Sequence, residues 1–216
     1  MLHTQEVRGS TPLVPTRTGM RNEIMKAGTA IRDISPQKPM FLVGYPHIER
    51  ISTGIHDPLL ASVLFLQSGS SAALIAALDI LFIDPPTARE LRREIARKIG
   101  IHERYVFISC THTHSGPVTI EMLSWQEDPV VPRVDPTYMR FFKESIIDAA
   151  VSAANNTFEA EIAWTSTLVD GVGCNRRSPE GPTDPEVPIM IVRNKASKKI
   201  AALSVTYGMH PTVLHE

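Results

Sequence analysis

Two histidines one residue apart, His112 and His114, sit in the stretch Ser109-Cys110-Thr111-His112-Thr113-His114-Ser115-Gly116-Pro117. The hydrophobic run before them, Tyr105-Val106-Phe107-Ile108, reads as a buried strand that delivers both into a polar turn. Strand side chains alternate between faces, so positions 112 and 114 are expected to project to one side. Paired imidazoles at a strand end can share a metal ion, or divide metal binding and proton handling between them. A later strand ends the same way, with Ile200 to Tyr207 running into Gly208-Met209-His210-Pro211-Thr212. If the two strand ends lie on one edge, His112 and His210 offer zinc two neutral nitrogen ligands.

Between these elements lies Gly171-Val172-Gly173-Cys174-Asn175-Arg176-Arg177-Ser178-Pro179. Its glycines let the backbone approach a ligand closely. Arginine presents a planar fork of donors to a carbonyl or carboxylate oxygen, so Arg176 and Arg177 are candidate substrate or oxyanion contacts. Cys110 adjoins the histidines and has the chemistry of a nucleophile or metal ligand, but a free cysteine usually packs as a small hydrophobe, and a buried strand-end thiol is expected. His56, Asp57 and Asp79 have the chemistry to complete a metal site. The first two read instead as a turn before Pro58, and Asp79 as a buried hydrogen-bonding group. Tyr207 and His215 are given no role.

The elements that must position these residues begin near Lys26. Ala27 to Ile34 partly alternates and stops at Ser35-Pro36, a strand and its end. Met40 to Val43 is a short apolar piece. Leu59 to Leu66 and Ala72 to Leu81 are apolar runs joined by Gln67-Ser68-Gly69-Ser70-Ser71, a hairpin-like pair. Asp84-Pro85-Pro86 starts a helix, with aspartate as cap and proline in the first turn; Leu91, Ile95 and Ile99 form its stripe and Gly100 stops it. A second helix opens at Asp135-Pro136, buries Met139, Phe142, Ile146, Ala150 and Ala154, and ends at Asn155-Asn156. Strands are expected at Ala160 to Val169, Pro188 to Arg193 and Ile200 to Tyr207. Many strands and two long helices predict an α/β (α+β) layered sandwich, with packed mixed sheets flanked by helices. A Rossmann fold is disfavoured, because no Gly-x-Gly-x-x-Gly turn joins a strand to a helix.

Composition narrows the function classes. The 216 residues carry a formal net charge of −1, which gives no electrostatic case for nucleic acid. No apolar run reaches the roughly 18 residues of a membrane span. Two cysteines make a disulfide framework improbable and fit a reducing, cytoplasmic location. Residues 1–25 lack a signal-peptide core and are expected to be a disordered or non-native extension, with the folded part at 26–216. Oligomeric state is not legible.

Taken in order, five motifs resemble the amino-terminal catalytic domain of the neutral/alkaline (non-lysosomal) ceramidase family. They are Ala27-Gly28-Thr29-Ala30-Ile31-Arg32-Asp33-Ile34-Ser35-Pro36, Gly54-Ile55-His56-Asp57-Pro58-Leu59, Thr111-His112-Thr113-His114-Ser115-Gly116-Pro117, Asn175-Arg176-Arg177-Ser178-Pro179 and His210-Pro211-Thr212. The resemblance implies a zinc-dependent hydrolase of a linear amide bond, acting on a ceramide or another N-acyl substrate. It implies His112 and His210 as zinc ligands, and His114 as stabiliser of the oxyanion formed when activated water attacks the carbonyl. An arginine of the Asn-Arg-Arg-Ser-Pro element would contact substrate; alignment on Ser178-Pro179 selects Arg177, and alignment on Asn175 selects Arg176. The family takes its remaining ligands, a glutamate and a tyrosine, from sequence well beyond the His-Pro-Thr element. The chain is therefore expected to be the first part of a longer catalytic domain. Hydrolysis of another bond, such as an ester, and a silent metal-binding fragment are the alternatives.

Overall fold

The computed structural model describes residues 24–45, 48–121, 130 and 133–210. Seven strands and two long helices follow one another along them. The strands are β1 (Met25–Asp33), β2 (Leu60–Ser68), β3 (Ser71–Leu78), β4 (Val106–Cys110), β5 (Phe158–Leu168), β6 (Glu186–Asn194) and β7 (Ile200–Val205). The helices are α1 (Pro85–Ile99) and α2 (Pro136–Asn155). Residues 1–23 of the expected amino-terminal extension lie outside the described residues, and β1 already begins at Met25.

Both helices start and stop where their chemistry dictates. The Asp84 side chain accepts from the Thr87 N–H at 2.8 Å, and Gly100 ends α1 in the left-handed conformation, φ 72°. Asp135 caps α2 through the N–H groups of Thr137 and Tyr138. Leu91 and Ile95 from α1 and Phe142, Ile146, Ala149 and Ala153 from α2 bury against Val63, Phe65, Leu74 and Leu78 of the sheet. The parallel β3–β4 pair requires a crossover, and α1 supplies it. At Gly28 of β1 the helix backbone comes so close that an added Cβ would lie 1.9 Å from the Ala153 carbonyl oxygen.

The sheet runs β4-β3-β2-β1-β5-β6-β7, mixed and unclosed, giving the layered α+β arrangement the sequence predicts. Its two halves meet through a short ladder, Lys26 opposite Glu159 and Ala27 opposite Phe158. Leu64 of β2 alternates with Val63 and Phe65 and so faces away from the helices. It shares an apolar cluster with Ala27 of β1, Ala160 of β5 and Met190 and Val192 of β6, against which Ile75 of β3 and Ala202 of β7 also pack. Leu64, Met190 and Val192 are buried although no helix packs on that face, and the sheet covers it by folding at the β1–β5 join. The β5–β7 half thus lies against the face that the helices leave open.

Candidate metal centre

In strand order β4 and β7 are the two margins of the sheet, and the run of antiparallel pairs points their ends in opposite directions. A flat sheet would hold His112 and His210 tens of ångströms apart at diagonal corners. The fold at the β1–β5 join brings them together. The expectation that the histidines meet is therefore fulfilled, though not by strand ends sharing an edge.

The pairing of His112 with His114 also has a different origin from simple alternation. Strand β4 stops at Cys110, after which the Thr111 N–H donates to the Leu78 carbonyl at 2.9 Å and the His112 N–H to the Ile80 carbonyl at 3.1 Å. His112 then adopts a left-handed backbone, φ 63°, uncommon for a residue with a Cβ. The chain bends there. The turn, not the pleat, sets the two rings 5.3 Å apart, edge to face.

His112 lies half-buried with Nδ1 3.1 Å from the Leu81 carbonyl oxygen. That acceptor assigns the proton to Nδ1 and leaves the Nε2 lone pair for a metal, the usual arrangement of an oriented ligand. His114 is 7% exposed, and its Nε2 stands 3.0 Å from Nε2 of exposed His210. One ligand atom from each of the three histidines lies within 4.8 Å of the other two. Tetrahedral zinc with Zn–N bonds of 2.0–2.1 Å places ligand nitrogens about 3.3 Å apart, so the His114–His210 spacing is already near that of two ligands. Three imidazoles are a donor set that suits zinc, and the group could hold a metal ion. Among the described residues no carboxylate or thiol belongs to it.

Electrostatics favour the ligand-competent form. Burial pushes the His114 pKa below the ordinary imidazole value, and nearby His210, His112 and Arg50 push it the same way. A smaller pull from the Gly44 backbone opposes them. The ring is accordingly neutral at neutral pH, as a ligand or N–H donor must be.

A segment that the sequence reading left without a role closes over this turn. Phe41 bridges to Ile51 and Leu42 to Pro117, and the Val43 N–H donates to the Gly116 carbonyl at 2.9 Å. Arg50 Nη1 reaches the His114 carbonyl at 3.0 Å while its guanidinium lies 4.7 Å from the centre of the Tyr45 ring. Tyr45 in turn meets the His114 ring edge to face at 5.1 Å. Neither Gly44-Tyr45 nor Arg50 has a local pattern that announces this; the contacts span about 64 residues of chain.

The arginine loop borders the His210 side. Tyr207 accepts a hydrogen bond from the Gly173 N–H at 3.0 Å, tying residues 169–185 to the segment that carries His210. Together they form a recess of about 580 Å³, lined by Asp170, Asn175, Arg176, Glu180, Tyr207 and Gly208 among others. Arg176 lines it. Arg177 does not, and its backbone N–H is held by Asn175 Oδ1 at 3.0 Å. Both arginine side chains are exposed.

The remaining candidates stay apart from the cluster. His56 and Asp57 form an exposed pair 2.8 Å apart. Asp79 Oδ2 accepts from the Leu60 N–H at 3.0 Å, a structural bond as expected. Cys110 is half-buried against the main core, and burial raises its thiol pKa; Cys174 is exposed. His215, like Pro211 and Thr212, lies outside the described residues.

Comparison with solved structures gives a consistent match. The neutral ceramidase from Pseudomonas aeruginosa superposes with a TM-score of 0.75 at 17% identity, covering 88% of this chain and 32% of that one. The fold is ceramidase-like. A second ceramidase structure, complexed with C2, matches with a TM-score of 0.73 at 16% identity over the same shares of the two chains. This chain thus spans about a third of the length of these ceramidases. No family model and no curated protein matches the sequence. Among the described residues, no helix is long and apolar enough to cross a membrane.

Proposed function

We propose that the chain is the amino-terminal share of a zinc-dependent hydrolase that cleaves a linear amide bond in an N-acyl, ceramide-like substrate. The observation that carries this reading is the convergence of His112, His114 and His210 on one point from opposite margins of the sheet. On this reading His112 and His210 hold the ion, and His112 is oriented for it by the Leu81 carbonyl. Zinc supplies Lewis-acid polarisation of the carbonyl and a water acidic enough to attack near neutral pH. His114, with Nε2 turned into the same space, donates a hydrogen bond to the developing oxyanion. Arg176 anchors a polar part of the substrate from the recess beside Tyr207. The ligands that complete the centre come from polypeptide outside 26–216, and a cytoplasmic location belongs to the same proposal.

One observation favours a second reading, a metal-binding unit without turnover: no carboxylate joins the histidines among the described residues to serve as general base. Assays of the zinc-loaded protein, with this chain in its full-length context, on matched N-acyl amide and ester substrates separate the readings. Zinc-dependent amide cleavage is expected. Ester cleavage alone would point to the other bond class, and bound zinc without cleavage of either would leave the silent reading standing.

A further inference from the structure

We infer that Gly44 and Arg50 are positioning residues for His114, and that the stretches 41–45 and 48–52 are a working part of the histidine centre. The inference rests on the proposed role of that centre but concerns residues to which neither sequence motif nor resemblance gives a task.

Gly44 fits its place for two independent reasons. Its φ of +124° is a backbone conformation that residues with a Cβ rarely adopt. A Cβ there would also lie 2.3 Å from His114 Nδ1, 2.5 Å from its Cγ and 2.9 Å from its Cβ. The imidazole therefore rests on bare backbone, and its buried Nδ1 makes no well-formed hydrogen bond among the described residues, the Gly44 backbone beside it exerting only the smaller pull noted above. Orientation must come from packing. Tyr45 supplies an edge contact on one side, and Arg50 fixes the main chain of His114 through its carbonyl.

Arg50 is itself held in register. Its carbonyl accepts from the Leu42 N–H at 2.7 Å, and the base of the same segment is tied by Ser52 N–H to the Met40 carbonyl at 2.9 Å. The guanidinium leaves Nη2 buried without a hydrogen-bond partner. A half-buried, incompletely bonded cation beside the His114 imidazole is costly, and it lowers the His114 pKa rather than raising it. A side chain kept there for stability alone would be better replaced by an apolar one. Its role is geometric: the His114 turn is gripped through its main-chain carbonyl. The grip keeps Nε2 pointing at the cluster with a nitrogen separation of 3.0 Å.

The test uses the chain with its imidazoles labelled, read first without metal by ring proton–carbon correlation spectra and the proton–proton transfer between His114 and His210. Gly44→Ala is expected to shift the His114 ring signal and abolish that transfer. Gly54→Ala, whose added Cβ meets nothing within 4 Å, is expected to change neither. Arg50→Met should act like Gly44→Ala, with Arg50→Lys partly restoring the signal through its donor to the His114 carbonyl. In zinc titrations, Gly44→Ala and Arg50→Met should stay within about 10-fold of the parent, because His114 is placed as the oxyanion donor and not as a ligand. If Gly44→Ala does not fold, the Arg50→Met and Arg50→Lys pair decides. An unmoved His114 signal with unchanged transfer overturns the inference. A parent protein that binds no zinc overturns the proposed function instead, while the metal-free ring signals still judge the positioning.

Discussion

His112→Ala and His210→Ala are each expected to lower zinc affinity by more than about 100-fold, beyond the range for losing an outer partner. Each removes one of the two histidines proposed to hold the ion, in a cluster that among the described residues has three. The two variants should differ in their effect on the fold. His210 is exposed at the end of a segment beyond β7, so its loss should leave the unfolding midpoint of metal-free protein unchanged. His112 is half-buried, donates from Nδ1 to the Leu81 carbonyl and holds a left-handed turn, so its removal should also loosen residues 111–117. Competition titration against a chromophoric chelator measures the affinity. Affinity should also fall on acidification, because protons compete with the metal for the same lone pairs. Retention of full affinity in His210→Ala would remove the far margin of the sheet from the centre.

The second large effect concerns the scaffold. Gly28→Ala is expected to destabilise the protein by about 3 kcal/mol or more, at the upper end of overpacking. The added methyl would lie 1.9 Å from the carbonyl oxygen and 2.9 Å from the carbonyl carbon of Ala153, and 3.3 Å from the carbonyl oxygen of Asn156. All three are backbone atoms of α2 or its cap, which no rotamer change can move aside. The gain of about 0.5–1 kcal/mol that alanine normally brings over glycine cannot offset the displacement of a helix from its sheet. Urea unfolding reads the change. A midpoint equal to the parent's would show that α2 does not rest on β1 at this point. The consequence reaches the centre, because α2 packs on the strands whose continuation, Leu78 to Leu81, supplies the acceptors for Thr111 and His112.

What the sequence made legible was local. Asp84-Pro85 and Asp135-Pro136 announced both helix starts because capping chemistry lies within one turn, and Gly100 marked an end for the same reason. The apolar runs around Gly69 announced a hairpin, which pairs Leu64 with Ile75 across its strands. The histidines announced a site by type and context. Their geometry did not follow from spacing, because the strand breaks at Cys110 and His112 turns left-handed, a conformation that nothing in Thr-His-Thr-His advertises. The route by which His210 arrives was equally hidden. It depends on a two-pair ladder between β1 and β5 and on a cluster joining Leu64 to Met190, both products of tertiary packing. Arg50 was missed because its grip on His114 crosses the interval between two motifs that were read separately. Gly28 could have been read, since glycine inside a strand often marks close approach of another backbone.

The most direct test is X-ray absorption at the zinc edge of the zinc-loaded protein, with this chain in its full-length context, at neutral pH. The account predicts one retained equivalent per chain, with nitrogen scatterers at about 2.0–2.1 Å and the multiple-scattering pattern of imidazole. That pattern should weaken when either His112 or His210 is replaced. A chain that retains no zinc, or one whose bound zinc shows no imidazole scattering, would contradict it.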